Sequence, residues 1–264
     1  MLDYVLIFII CIVATIFGAI SGIGGGVIIK PVFDASFNMS VSQISFLSGC
    51  TVLAMSIVSL ISSKGKEEKI DKKNTTLLAI GSAVGGIVGK LVFDVIKKAT
   101  GNDGIVGTVQ SVVLVLLTAF VLVYVLNKHK IKTLKSSSNI LNVIIGLLLG
   151  IVSSFLGIGG GPINLVVLYF FFSMDTKTAA INSIYMIFFA QSTSLLFSLL
   201  SKTVPDFDVW TLVIMILAGI LGGFIGRKIN KKLSIKAVDV LFCAMLIIII
   251  GISIYNCIRY ATII

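Results

Sequence analysis

Between Ser136 and Met174 the chain runs 39 residues without a charge. As one straight helix that stretch would reach about 59 Å, roughly twice the hydrocarbon thickness of a bilayer, so it must tilt, break or fold back within lipid. The break is written at Gly157-Ile158-Gly159-Gly160-Gly161, four glycines in five positions, with Pro162 following where a new helix can begin. Other uncharged runs, Gly104 to Asn127 and Thr178 to Ser201, are each 24 residues long. With 57% hydrophobic and 12% charged residues, against roughly 45–50% and about 25% for a soluble domain, the chain reads as an all-α polytopic membrane protein. Disordered, collagen-like and disulfide-stapled classes are excluded by the same composition.

Charges and turn residues divide the chain into eight apolar segments, at about 4–33, 44–63, 74–96, 104–127, 136–174, 178–201, 209–226 and 240–258. The first carries the same interruption as the fifth, at Gly22-Ile23-Gly24-Gly25-Gly26, offset by 135 residues. Gly85-Gly86-x-x-Gly89-Lys90 likewise matches Gly222-Gly223-x-x-Gly226-Arg227 at an offset of 137. The chain is therefore read as a duplication: a first repeat over 1–127, a linker over 128–139 and a second repeat over 140–264.

Lys and Arg set the orientation, because cytoplasmic loops carry their excess. If each long segment enters and returns to one side, 15 basic residues share a face and 6 lie on the other; single crossings would leave no bias. Each repeat then reads as a glycine-broken re-entrant hairpin plus three transmembrane helices. An odd number of crossings makes the two repeats inverted, as in many secondary transporters, with both termini extracytoplasmic. The formal charge of +10 is explained by these loops and not by nucleic acid. Met1 to Asp3 lacks the basic head of a signal peptide, so the first segment is expected to remain as a membrane segment. Cys11, Cys50, Cys243 and Cys257 lie in apolar segments and read as small packing residues.

A hairpin turn near mid-depth would start its second arm there, about Gly25 to Phe37 and Gly160 to Phe172, with unpaired N–H groups and a positive dipole end. Such ends suit anions, and glycine lets a ligand approach the backbone. The competing reading is that the glycines only permit the break. The candidate substrate-binding set is Gly22, Gly24, Gly25, Gly26, Gly157, Gly159, Gly160 and Gly161, with Lys30, Ser48, Asn182 and Ser183. Asn164 is a further candidate, whereas Ser45, Thr51, Ser56, Gln191 and Ser194 are expected to bond within or between helices. Lys90 and Arg227, just beyond the small-residue rows, are expected to snorkel to headgroups. No metal or other cofactor is implied. The single histidine, His129, lies in a basic loop, and all eleven carboxylates are placed in loops or near span ends, which excludes the familiar hydrolytic centres and favours an anion path.

The duplicated GxGGG, Pro31 and the paired GGxxG elements resemble the TauE/SafE sulfite exporter family of membrane permeases over nearly the whole chain. The resemblance implies a small sulfur-containing anion as substrate: sulfite, thiosulfate or an organosulfonate. The chain departs from the pattern at Leu165 and Val166, which stand where the first half has Lys30 and Pro31. An anion channel, a carboxylate transporter and a non-transporting membrane scaffold subunit are the alternative functions. Expected partners are the lipid bilayer and the anion; a coupling ion, proton or sodium, and a homodimer are left open. In a background without native cysteines, single cysteines at Lys69, Lys132 and Lys232 should react with an impermeant reagent only after permeabilisation. Labelling at position 232 from outside would overturn the inverted arrangement.

Overall fold

The computed structural model describes residues 2–63, 70–135 and 138–262. The loop from Lys64 to Lys69, which holds one of the labelling positions, and Ser136-Ser137 of the linker lie outside the described residues. Helices α1 (Leu2–Ser21), α2 (Gly26–Ser36), α3 (Val41–Ser62), α4 (Lys72–Thr100) and α5 (Asp103–Asn127) are followed, after a 3-10 turn, by a second series. That series is α6 (Asn139–Leu156), α7 (Pro162–Phe172), α8 (Thr176–Leu200), α9 (Val209–Lys232) and α10 (Ile235–Ala261). Among the described residues there is no strand, and eight helices are long and apolar enough to cross a membrane. The remaining two, α2 and α7, have 11 residues each and reach only about half the hydrocarbon thickness.

The helix ends lie at capping residues, some of them charged. Asp71 opens α4 by accepting the Asn74 N–H, and Gly101, at φ 59°, closes it, so the helix continues through Lys97 and Lys98 to Thr100, past the apolar segment that ends at 96. Ser40 and Gln43 form a reciprocal capping box at the start of α3. Asp175 accepts the N–H groups of Lys177 and Thr178 at the start of α8. Burial pushes the Asp175 carboxyl up, but the Thr178 hydroxyl and the backbone donors outweigh it and hold the group below the usual carboxylate range.

Side-chain bonds define the two ends of the bundle. At one, Tyr4 bonds to Asp208, Lys97 to Ser42, and Tyr260 to Asp34. At the other, Lys128 bonds to Asp239, Asn142 to Asn74, and Lys231 to the Ser62 carbonyl. The α1–α2 pair starts at Tyr4 and closes at Asp34, both at the first end. The α6–α7 pair starts beside Asn74 and closes where Ser173 meets Thr133, at 2.6 Å, at the Lys128 end. Each glycine-broken pair therefore returns to the end it came from, and the two pairs use opposite ends.

Packing recurs at the spacing of the glycine motifs. Helix α1 lies on α9 as α6 lies on α4, α3 on α9 as α8 on α4, and α5 faces α10. Gly89 meets the Ile151 carbonyl and Gly226 meets that of Ile16, close backbone approaches allowed by the small-residue rows. Outside, Leu116, Phe120, Ile247 and Ile254 stand exposed, forming an apolar perimeter suited to lipid. Gly146 tests the α4–α6 approach: a methyl there strikes the Leu78 backbone, whereas one at Gly251 meets nothing within 4 Å. Gly146→Ala should cost about 1–3 kcal/mol by overpacking, and Gly251→Ala should be neutral or stabilising by up to about 1 kcal/mol. Thermal melting of the purified protein in detergent checks this, and equal effects would contradict the packing.

Candidate functional site

The two glycine turns meet each other near the middle of α3 and α8. Gly24 and Gly159, at φ 82° and 68°, take left-handed conformations that an L side chain rarely adopts, and Val52 of α3 borders both. A methyl on Gly26 would strike the Ile158 carbonyl, and one on Gly160 would stand 2.5 Å from Ile187 and 3.2 Å from the Ile23 carbonyl. Backbone thus packs on backbone across the centre of the molecule. Gly25 is held just as tightly, but by α1, since its added methyl would lie 2.8 Å from Thr15. Gly161 differs: it is extended, caps α7 without a side-chain bond, and would give a methyl ordinary contacts starting at 3.5 Å.

From the Tyr4 end a narrow cleft of about 30 Å³ leads down to this contact between α3, α4, α6 and α8. Its polar lining is serine-rich. Ser42 and Ser45 come from α3, Ser154 from α6, and Ser194 and Ser198 from one face of α8. Lys90 of α4 projects into it, 2.9 Å from Asp94 and over the Phe93 ring. At the floor are Gly157 and Gln191, whose amide nitrogen would stand 2.6 Å from a methyl on Gly159. Ser154 and Ser194 bond to each other at 3.0 Å, and the Ser45 hydroxyl has no partner. Hydroxyls, an amide and an ammonium converge here on a floor built of glycine. Such a set can donate hydrogen bonds to an oxyanion, with the Lys90 ammonium, already paired with Asp94, as one further donor.

The equivalent positions at the Lys128 end are closed. Ala180 replaces Ser45, and Gly22 packs against its backbone. Arg227, at the place of Lys90, is completely buried with its Nε 2.8 Å from the Ser63 hydroxyl, which corresponds to Ser198. Asn230 reaches the Ile20 carbonyl at 2.5 Å. One half of the duplicated lining is open and the other is packed shut.

The structure distributes the sequence candidates unevenly. Gly24, Gly26, Gly159 and Gly160 come together, whereas Gly22 packs on Ala180, Gly25 on Thr15 and Gly157 on Ser45; Ser48 lies beside Gly26 with its hydroxyl buried and unpartnered. Ser183 is engaged with the fold, donating to the Gly22 carbonyl at 2.6 Å. Asn182 accepts from the Asp71 N–H and the Thr75 hydroxyl and so anchors the start of α4. Lys30 turns away from the serine cleft toward α5 and α10, where it pairs with Asp34 at 2.9 Å. Asp34 lies near the end of α2, where the sequence places the carboxylates, but it is buried and not solvated, at 6% exposed, because Tyr260 and Arg259 of α10 fold over it. Lys90, expected at the headgroups, lines the cleft. The i,i+4 spacing of Ser194 and Ser198 on α8, with Gln191 one turn earlier, was the available sign of that face. Among the described residues no group of three or more His, Cys, Asp or Glu is placed to hold a metal.

The model of the sulfite exporter TauE/SafE family matches residues 7–254. The probable membrane transporter protein YunE of Bacillus subtilis (strain 168) is 23% identical over 268 residues, spanning 94% of this chain and 96% of that protein. No solved structure matches. With the match covering almost every helix described above, this multi-pass membrane protein belongs to the TauE/SafE sulfite exporter family of membrane transporters.

Proposed function

We propose that the protein moves a small sulfur-containing oxyanion across the membrane by alternating access, with repeats 1–127 and 140–264 acting as inverted halves. The observation that carries this reading is the donor-lined cleft ending on the glycine contact while its counterpart is packed around Arg227. A carrier needs two such paths open in turn. The anion enters from the Tyr4 end, exchanges water for the hydroxyls of Ser45, Ser154 and Ser194, and is drawn by Lys90. As α3 and α8 shift across the glycine turns, that lining closes and the Arg227 face opens. The basic excess makes the Lys128 end cytoplasmic, so the cleft described here faces outward and both termini are extracytoplasmic. A channel reading is less well supported, because the backbone contact at mid-depth interrupts the path.

Sulfur chemistry is inferred from the family, while the electrostatics of the cleft would accept a carboxylate as well. The test is flux in proteoliposomes containing only this protein, comparing sulfite, thiosulfate, sulfoacetate and a carboxylate of similar size. A sulfur oxyanion should show saturable, competitive uptake. Ser45→Ala should raise its half-saturating concentration by roughly 2- to 12-fold, the cost of one neutral hydrogen bond. Gly161→Ala, which the fold accommodates, should separate ligand approach at α7 from packing, whereas Ala at Gly25 or Gly160 would strain the fold itself. Carboxylate preference would replace the substrate class, selective cation uptake would overturn the anion path, and absence of saturable flux would favour a scaffold role.

A further inference from the structure

A second polar pocket lies between α2, α5 and α10, on the side of α2 occupied by Lys30 and away from the serine cleft. Its lining includes Lys30, Asp34, Gln110, Ser253 and Asn256, all at most 6% exposed. Gln110 donates its amide to the Phe155 carbonyl at 2.6 Å, and Asn256 donates to the Pro31 carbonyl at 2.8 Å. These bonds fix which end of each amide faces the backbone and leave both side-chain oxygens without a partner. The Ser253 hydroxyl is buried and unpartnered as well. Three oxygens therefore await a donor or a positive charge in a pocket with room for about one water-sized occupant.

The fold itself does not require this arrangement. At the offset of 135, Lys30 and Asp34 correspond to Leu165 and Tyr169, which pack in the hydrophobic core. An ion pair kept in only one of two duplicated helices, beside three unfilled acceptors, is costly to bury unless it has a task. We propose that this pocket binds a small monovalent cation, sodium or hydronium, through the oxygens of Gln110, Ser253 and Asn256 with Asp34 as the counter-charge. Oxygen-only ligation of this kind suits a hard cation. Lys30 is the resident cation on Asp34, and the incoming charge displaces its ammonium from the carboxylate. Because Lys30 sits on the short helix that starts at the glycine contact, the exchange reaches the centre of the molecule. Around Asp34 the other charged and titratable groups are Tyr260, bonded to its carboxylate, and Arg259, bonded to its backbone carbonyl, both from α10. Asp103 at the start of α5 is paired with Lys97 at 3.4 Å, and Cys11 of α1 faces the apolar side of α2.

The experiment is thermal melting of the full purified chain in choline buffer, with sodium chloride replacing choline chloride at constant ionic strength, and separately across pH 5.5 to 8 without sodium. If the ion is sodium, the midpoint should rise saturably with it, and Ser253→Ala should raise the half-saturating concentration by about 10-fold or more. That variant removes an unpartnered hydroxyl, so its melting without sodium should not fall. If the ion is hydronium, sodium should have no effect, the midpoint should rise toward low pH, and Asp34→Asn should abolish that rise. A midpoint indifferent to both, a sodium response unchanged in Ser253→Ala, or an acid response retained in Asp34→Asn would each overturn the site and leave it holding water. The readout is binding, so its failure is independent of any failure to transport an anion.

Discussion

Everything in this molecule is arranged around a place where two backbones touch without side chains between them. In lipid every backbone N–H and C=O must find a partner or lie buried in protein, and a broken helix violates that rule unless the protein encloses the break. Here each break encloses the other, Gly26 against the Ile158 carbonyl and Gly160 toward that of Ile23, with Val52 and Ile187 alongside. The short reach of α2 and α7 follows from starting at this depth and returning to their own ends. The close α1–α9 and α4–α6 packings then hold each first helix against the opposite half, so neither half carries a complete core by itself.

The duplication supplies a frame, and the differences within it supply chemistry. Ser45 opposes Ala180, Lys90 opposes Arg227, and the Lys30–Asp34 pair opposes Leu165 and Tyr169. The first two differences lie along the proposed anion path and decide which end is open. The third lies off it, behind α2. On the proposed reading, unlike linings at corresponding positions would give an anion different partners on entry and on release.

The breaks, the close-packed rows and the helix count were legible in the sequence because they depend on backbone rules: glycine clusters interrupt helices, and small-residue rows let them meet. Helix ends were less legible, since a charge does not stop a helix; α4 continues past residue 96 through Lys97 and Lys98 to Thr100, and α9 runs through Arg227 to Lys232. The polar candidates fared unevenly for a related reason. Ser48, Asn182 and Ser183 occupy the right spans, but whether a hydroxyl or amide meets a ligand or a carbonyl depends on what the neighbouring helix presents. Ser183 met Gly22 and Asn182 met Thr75, neither of which its own helix announces. Asp34 was visible four residues after Lys30, yet its burial depended on α10 folding over it.

The cleft from the Tyr4 end stops at the glycine contact, whereas the equivalent positions around Arg227 are packed; the larger cavity of about 530 Å³ at the Lys128 end lies apart from them, beside Tyr169 and Asp239. Water-filled space conducts and packed protein does not, so on the proposed alternating-access reading the transmembrane voltage would drop mainly across the packed Arg227 side of the contact. That voltage is worth about 2.3 kcal/mol per elementary charge per 100 mV. If the proposed anion rests on the glycine floor, it would have crossed half the thickness while crossing little of the field. On that proposal almost all the electrical work would fall on the single step that moves the seal from one face of the glycine contact to the other.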